Sequence, residues 1–228
     1  MDFGNKNIAV LFEWGDTTVY LTESIFATWI VMGILILFTI VVNIRIRKFR
    51  AVPTGFQNIV ELLVETMRSF AMDNLGAELE FLHGYFFGVF AFILLSNYIG
   101  LIGLRPPTSD VATTGALALI TFVLMHALGM KKSFGGYLKS YIEPNVVFLP
   151  LNLIGEIATP ISLALRLFGN ILSGVIIGGL VYNMLPILLR FLFPTIIHAY
   201  FDVMSGALQA FVFTVLSMTF IKDKAVDS

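Results

Sequence analysis

The sequence predicts an all-α polytopic membrane protein with five membrane helices and one interfacial amphipathic helix, the last two membrane helices being long and tilted. Hydrophobic residues make up 57% of its 228 residues, whereas a soluble domain contains about 45–50%. Charged residues make up only 13%, against roughly 25% in soluble proteins. A chain of this length cannot hide so much apolar surface in a water-soluble core, so lipid must be the solvent for much of it.

The composition also argues against several functions. The net charge of −1 gives no reason to expect a nucleic-acid partner. The sequence has no cysteine, which excludes disulfides and thiol chemistry, and its three scattered histidines do not favour a metal site. It contains no GxxxxGK(S/T) phosphate loop. We therefore expect no cofactor and no nucleotide chemistry on this chain, which is not an enzyme by itself.

We expect one membrane domain, residues 1–228, that begins with an outside segment, 1–23, and a first span over 24–44. The span is uncharged and about long enough to cross ~30 Å of hydrocarbon. It is too long for a signal-peptide core, and several acidic residues precede it. A basic cluster then marks the cytoplasmic side by the positive-inside rule. The cluster comprises Arg45, Arg47, Lys48 and Arg50.

The segment 53–75 predicts an amphipathic helix lying in the cytoplasmic interface. Its apolar face comprises Phe56, Ile59, Val60, Leu63, Met67 and Phe70, and its polar face comprises Gln57, Glu61, Glu65 and Arg68. A helix packed on a soluble domain would show the same pattern, but the sequence contains no soluble domain on which this helix could pack.

Two further spans are predicted over 82–104 and 111–130. The turn Arg105–Thr108 between them contains two prolines, which cannot continue a helix. Three lysines follow the second of these spans, on the side where the rule requires them. They are Lys131, Lys132 and Lys139.

The last predicted elements form a tilted helix hairpin over 145–183 and 194–221. If Asn145–Tyr182 is one helix, its 38 residues measure about 57 Å at ~1.5 Å per residue. The hydrocarbon is only ~30 Å thick, so such a helix must tilt steeply or bend. Two lysines after the second helix return the chain to the cytoplasmic side.

A polar stripe follows each helix of this hairpin. On the first helix its members recur at steps of three and four residues, which keeps them on one face. They are Asn152, Glu156, Thr159, Ser162, Arg166, Asn170 and Ser173. On the last helix they are His198, Asp202, Ser205 and Gln209. A central Arg or Asp costs about 2.5–3.5 kcal/mol in a membrane helix, and such residues by default mark an ion path.

Two other interpretations account for the same stripes. Leu167–Leu189 and Val203–Ile221 are each uncharged and long enough to span alone, so Arg166 and Asp202 would lie at helix ends and reach the interface. Stripes of Ser, Thr and Asn also join membrane helices to one another. Spacing alone leaves these interpretations open beside the ion path.

Three motifs resemble those of one protein family, in the family's order. The run Pro160–Asn170, PISLALRLFGN, resembles the signature of subunit a of F-type ATP synthases. Gln209–Phe213, QAFVF, resembles the second family motif. The third is Pro107–Thr114, PTSDVATT, ahead of Ala116–Leu119. Together the resemblance covers roughly residues 24–221.

The resemblance implies a fold and a function. The family fold has one N-terminal span, an interfacial helix, two further spans and two long tilted helices that wrap a rotor ring of c-subunits. The implied function is that of the proton-translocating stator of a rotary ATP synthase, with Arg166 facing the rotor carboxylates and separating two offset half-channels. The implied partners are the c-ring, the b-subunit peripheral stalk, the other synthase subunits and the lipid bilayer. The implied location is the bacterial plasma membrane, with the N-terminus outside and the C-terminus in the cytoplasm.

The resemblance also assigns residues to each half-channel. Asn170, Asp202 and Gln209 match the outer path. Glu156, with Ser162 and Asn152, matches the inner one. Asp110 matches a position near the outer mouth, although it could equally be the N-cap of the helix that begins at Val111.

Two positions depart from the family pattern. Val175 stands where a carboxylate is frequent, and Asp202 stands where relatives often have His or Glu. A carboxylate at 202 could replace the one missing at 175. The choice between proton and sodium stays open, because in this family it depends mainly on the rotor subunit.

Two rival functions belong to other classes. A self-contained secondary transporter often shows two related halves, and this sequence shows none. A membrane scaffold would use the polar stripes only to join helices. Arg166→Ala distinguishes a scaffold from a stator. A scaffold variant would lose assembly, whereas a stator variant would assemble but could not couple.

Overall fold

A computed structural model describes residues 7–14, 17–50, 52–142, 145–184 and 203–226. Within these ranges it contains seven α-helices, and five helical segments are long and apolar enough to cross a membrane. The predicted all-α polytopic class is therefore confirmed. The five segments are Glu23–Ile46, Ala77–Ile102, Val111–Lys132, Val146–Gly174 and Val203–Ala225.

A short antiparallel hairpin precedes the first helix. Strand β1 spans Asn7–Trp14 and strand β2 spans Thr17–Thr22, with Val10 paired to Tyr20 and Glu13 to Thr18. The sequence predicts only an outside segment here, with no strands. The signal was available in the β-branched and aromatic run of β2, TTVYLT, because such residues favour strands.

Helix α1 spans Glu23–Ile46 and corresponds to the first predicted span. The backbone N–H of Ile25 donates to Thr22 Oγ1 at 3.4 Å, so Thr22 caps the helix. Ala27 and Val31 pack against Ile99 of the next span. The rest of α1 presents large apolar side chains outward, as a lipid-facing helix does.

Helix α2 spans Phe56–Leu75 and is amphipathic. Its buried apolar side chains are Val60, Met67, Ala71 and Leu75. Ile59 and Leu63, assigned by the sequence to the same apolar face, are 57% and 44% exposed. The covered ridge is therefore narrower than the apolar face, and the remainder is the kind of surface that an interfacial helix presents to lipid.

The next elements correspond to the second and third predicted spans. Helix α3 spans His83–Tyr98 and helix α4 spans Val111–Lys132. A short helix, α5, spans Phe134–Ile142 and was not predicted. Shorter 3₁₀ turns join these elements at Ala77–Leu82, Ile99–Ile102, Pro107–Ser109 and Val146–Phe148.

The chain ends in two further helices. Helix α6 spans Leu149–Met184 as one 36-residue element that contains Pro160. At ~1.5 Å per residue it measures about 54 Å, longer than the hydrocarbon is thick. Helix α7 spans Gly206–Ala225. The predicted outer turn and Asp202 lie outside the described residues.

Two clusters of buried side chains hold the helices together. One joins α2, α3, α4 and α7 and includes Leu75, Phe86, Met125, Met218 and Ile221. The other joins α3, α4, α6 and α7 and includes Ile93, Ala118, Leu163, Leu167 and Phe213. Helix α6 thus contributes one apolar ridge to the core.

A buried polar network fixes the start of α7. Asn97, which is 2% exposed, donates from Nδ2 to the carbonyl of Gly206 at 2.9 Å. Thr108 donates from Oγ1 to Asn97 Oδ1 at 2.6 Å. Three separate segments therefore meet at one amide, and each of its two polar atoms has a partner, as burial requires.

We expect Gly206→Ala to destabilise the fold. An added Cβ would lie 2.9 Å from Asn97 Cβ, so α7 must shift, at a cost of about 1–3 kcal/mol for overpacking. The matched control is Gly88→Ala on α3, where a Cβ meets nothing within 4 Å and the helix gains about 0.5–1 kcal/mol. Thermal unfolding followed by circular dichroism in detergent measures both, and a midpoint for Gly206→Ala equal to that of the control would contradict the prediction.

Candidate functional site

The polar stripe predicted on α6 lies on one continuous helix. The exposure of its side chains increases along the helix. Asn152, Glu156 and Thr159 are half-buried, and Ser162, Arg166, Asn170 and Ser173 are exposed. The stripe lies beside the apolar ridge of Leu163, Leu167 and Ile171 that anchors the helix. The ridge therefore fixes which way the stripe is presented.

Arg166 is exposed in the middle of this stripe. Its neighbours on the same helical face are the exposed Ser162, Gly169 and Asn170. The adjoining face is apolar, since Ile161 and Leu165 are 51% and 55% exposed. No residue in the described part of the chain forms an ion pair with its guanidinium. The structure thus presents a cation outward from a surface suited to lipid or to another protein.

Asn170 and Gln209, which the sequence assigned to one path, meet across the helices α6 and α7. Asn170 donates from Nδ2 to Gln209 Oε1 at 2.7 Å. Gln209 is 4% exposed, and its Nε2 has no hydrogen-bond partner among the described residues. We call these two residues the amide pair. A buried N–H group without a partner is a place where a water or another hydrogen-bond acceptor can be held.

A second group of polar side chains lies nearer the start of α6, and we call it the ionic cluster. Glu156 forms an ion pair with Lys224 at the end of α7, and its side chain is 12% exposed. His126 Nε2 on α4 lies 3.9 Å from Glu156 Oε2. Asn152 donates from Nδ2 to the carbonyl of Tyr141 at 2.8 Å. The cluster therefore comprises Asn152, Glu156, Lys224, His126 and Tyr141.

The ionic cluster lines a cavity that is open to the surface. The cavity measures about 360 Å³, and its polar wall includes Asn152, Glu156, Asp223 and Lys224. A cavity of this size holds several water molecules. The arrangement can therefore hydrate the carboxylate of Glu156 from the end of the bundle.

Helix α5 supplies Tyr141, which borders this cavity, and Tyr137, which contacts Tyr141. The hydroxyls of Tyr137 and Tyr141 are 2.6 Å apart, and the ammonium of Lys224 lies 4.6 Å from the centre of the Tyr141 ring. Burial, the hydrogen bond with Tyr137 and the negative charge of Glu156 raise the pKa of Tyr141 above its usual value. Its hydroxyl therefore stays protonated at neutral pH.

Sequence reasoning missed most of the ionic cluster. From the sequence, Lys224 served only as evidence that the C-terminal end of the last helix is cytoplasmic. No role was assigned to His126, and α5 was not predicted. These residues come from three different helices, so no spacing along one helix could reveal their contact with Glu156. Two signals were available for these contacts. Tyr137 and Tyr141 lie four residues apart, which places them on one face of a helix, and Lys224 lies at the end of the last helix.

The remaining predicted residues have separate environments. Asp110 accepts a hydrogen bond from the backbone N–H of Ala112 at 3.0 Å, so it is the N-cap of α4. Ser162 is exposed between Glu156 and Arg166. Asp202 lies outside the described residues. Among the residues that the structure describes, no group of three His, Asp or Glu side chains could hold a metal ion.

Fold and site together define a class: a polytopic helical membrane protein with charged and polar groups along its longest helix. The comparison with known families is specific. The family described as ATP synthase A chain matches residues 25–222. The chain therefore belongs to the ATP synthase subunit a family, whose members are membrane subunits of the ion-translocating sector of that complex.

Individual relatives agree. Subunit a 2 of Acaryochloris marina is 33% identical over 93% of this chain and 88% of its own length. Subunit a of Moorella thermoacetica is 34% identical over 92% of this chain and 93% of its own. The relative in Propionigenium modestum, named as sodium ion specific, is 32% identical over 91% and 75%.

We expect the Glu156–Lys224 pair to stabilise the contact between α6 and α7. Replacing Lys224 with Met leaves a largely buried carboxylate without its cation, so Lys224→Met should destabilise more in the wild type than in a Glu156→Gln background. The coupling free energy in this cycle should be about 1 kcal/mol or more, above that of an exposed pair.

Thermal unfolding of the four variants in detergent measures the coupling. Lys222→Met, two residues earlier on the same helix, is the matched control and should show no coupling to Glu156→Gln. Additive effects of Lys224→Met and Glu156→Gln would mean that the ion pair contributes nothing to the fold.

Proposed function

We propose that this chain is the proton-translocating stator subunit of a rotary F-type ATP synthase. Two offset half-channels lead to the rotor, and Arg166 separates them. The outer half-channel includes the amide pair and Asp202, with Asp110 near its mouth. The inner half-channel includes Glu156, Ser162 and Asn152. ATP chemistry takes place on other subunits of the complex.

The single observation that carries this proposal is the setting of Arg166. The guanidinium is exposed on the polar stripe of an otherwise apolar membrane helix, and it has no ion-pair partner among the described residues. A cation at membrane depth needs an anionic partner or water. A carboxylate on a passing rotor helix supplies that anion once for each c-subunit.

The spacing along α6 supports two separate paths. Asn170 lies one turn beyond Arg166, about 6 Å along the helix axis, and Glu156 lies about 15 Å away in the other direction. The amide pair and the ionic cluster are therefore on opposite sides of the arginine. Two aqueous paths ending at these positions would be offset, which a rotary mechanism requires.

The chemistry follows from the permanent charge of the guanidinium. Arginine does not lose its proton in proteins, and a nearby cation favours the ionised form of a carboxylate. A rotor carboxylate that reaches Arg166 therefore releases its proton to one half-channel. Beyond Arg166 it must bind a proton from the other half-channel before it re-enters lipid. The membrane potential contributes about 2.3 kcal/mol per charge per 100 mV.

The two paths differ in chemical character. Neutral amides hold water and relay protons by hydrogen bonding without fixing a charge, which suits the amide pair to delivery toward the rotor. Glu156 can accept a proton, and Lys224 offsets its negative charge when it is ionised. The ionic cluster therefore suits release toward the cavity at the end of the bundle.

The proposed setting is a bacterial plasma membrane, with the N-terminus outside and the C-terminus in the cytoplasm. The proposed partners are the c-ring and the b-subunit peripheral stalk. The cytoplasmic end of α1, the end of α4 and the end of α7 carry most of the basic residues, as the positive-inside rule requires.

Proton pumping by the assembled complex tests the proposal. In inverted vesicles, ATP-driven acidification should fall to background for both Arg166→Ala and Arg166→Lys. Alanine removes the cation, and a lysine covered by the rotor can lose its proton, whereas arginine keeps its charge. Arg68→Lys, which alters a surface ion pair with Glu80, is the matched control and should pump normally.

Each outcome of this experiment has a meaning. Sustained pumping by Arg166→Lys would overturn the role of the guanidinium, and loss of assembly in Arg166→Ala would favour a scaffold. Acidification that is independent of added sodium identifies the proton as the coupling ion. Acidification that sodium suppresses would instead support sodium transport.

The amide pair makes a second prediction. Asn170→Leu and Gln209→Leu should each slow proton-driven ATP synthesis several-fold, and the double variant should be no slower than the worse single one, because the two amides act as one hydrogen-bonded unit. Ser173→Ala, which loses only a bond to the carbonyl of Asn170, is the control. Normal synthesis rates in both single variants would exclude the pair from the path.

A further inference from the structure

The connection between α1 and α2 carries a high positive charge, and we call its described residues, 44–50 and 52–57, the basic elbow. Gln57, which is 7% exposed, holds the elbow together. The backbone N–H of Arg50 donates to Gln57 Oε1 at 2.9 Å, and Gln57 Nε2 donates to the carbonyl of Arg50 at 2.7 Å. The same Nε2 lies 2.7 Å from Glu61 Oε1. One buried side chain therefore fixes the path of the connection.

A cavity of about 480 Å³ opens in the basic elbow. Arg45, Lys48 and Arg50 line it together with Thr54 and Phe56. The guanidinium of Arg45 lies 4.9 Å from the centre of the Phe56 ring. None of these three cations forms an ion pair with a carboxylate in the described part of the chain. The cavity is therefore suited to an anion with several oxygen acceptors.

A second cavity, of about 430 Å³, adjoins the first and shares Phe49 with it. Its apolar wall comes from both helices and includes Val42, Ile46, Val60 and Val64. Its polar rim comprises Glu61, Glu65 and Arg68, of which Arg68 pairs with Glu80. The two cavities together form a cationic chamber that continues into an apolar groove.

This combination matches an amphiphile with an anionic head and a hydrocarbon chain. We propose that the basic elbow binds one anionic phospholipid, with its phosphate among Arg45, Lys48 and Arg50 and an acyl chain along the groove past Phe49. The elbow follows directly after a membrane span, at the depth where lipid phosphates lie. Basic pockets at this level bind anionic headgroups by charge and hydrogen bonding.

The apolar groove favours a lipid over a free phosphate ion, which would need only the cationic chamber. Charge complementarity favours a lipid over a helix of another subunit, because juxtamembrane cations attract the anionic leaflet. The site lies away from the polar stripe of α6 and does not depend on the proposed ion path.

Photolabelling of the assembled complex tests the site. The complex is placed in phosphatidylcholine nanodiscs containing a small fraction of photoreactive phosphatidylglycerol, or of phosphatidylcholine that carries the same photoreactive acyl chain. Mass spectrometry then locates the label. Phosphatidylglycerol should label residues 42–64 about tenfold more than phosphatidylcholine does, because three cations face its phosphate.

A matched pair of variants tests the residues. Arg45→Gln, Lys48→Gln and Arg50→Gln together should reduce labelling of 42–64 to the phosphatidylcholine level. Lys131→Gln, Lys132→Gln and Lys139→Gln together remove the same charge from another part of the chain and should leave it unchanged. The site is disproved if the wild type labels equally with both lipids, or if both triple variants lose labelling alike.

Competition distinguishes the other occupants. Added inorganic phosphate should leave the labelling unchanged. If millimolar phosphate instead displaces the lipid and reduces the labelling, the cavity is a site for a free anion. A label that joins 42–64 only to another subunit would show a protein occupant, which would also overturn the proposal.

Discussion

The account depends on a positive charge that the described residues do not neutralise. Arg166 lies on the polar stripe of α6, beside an apolar face, and it is exposed. Leaving it against hydrocarbon costs about 2.5–3.5 kcal/mol on insertion scales. The apolar ridge of Leu163 and Leu167 holds α6 against the core, so the helix cannot rotate to bury the charge elsewhere. The proposed rotor carboxylate would be the anion that offsets this charge.

Two polar groups, the amide pair and the ionic cluster, lie on opposite sides of Arg166 along α6. The amide pair joins α6 to α7 through neutral side chains. The ionic cluster joins α6 to α7 by an ion pair and to α5 by a hydrogen bond, and it places His126 of α4 at 3.9 Å from Glu156. The amide pair includes the buried Gln209, whereas the ionic cluster lies beside a cavity that is open to the surface. Neither includes Arg166, so the arginine separates two polar regions instead of linking them.

Sequence reasoning predicted what single helices encode. Uncharged runs gave the membrane spans, and steps of three and four residues placed Asn170 and Gln209 on stripes that the structure brings together. It did not predict the pair of Lys224 with Glu156 or the place of Tyr141, since these contacts depend on the packing of different helices. The N-terminal hairpin was not predicted, although the β-branched and aromatic run of β2 favours a strand.

Cross-linking tests most directly whether an acidic rotor helix meets the face that carries Arg166. The chain has no cysteine, so one cysteine at Ser162 or Gly169, both exposed beside Arg166, can be paired with one placed next to the rotor carboxylate. Leu163→Cys, at a position 2% exposed, is the control. In the assembled complex we expect disulfides from 162 and 169 and none from 163. An assembled complex with no disulfide from either exposed position would contradict the account.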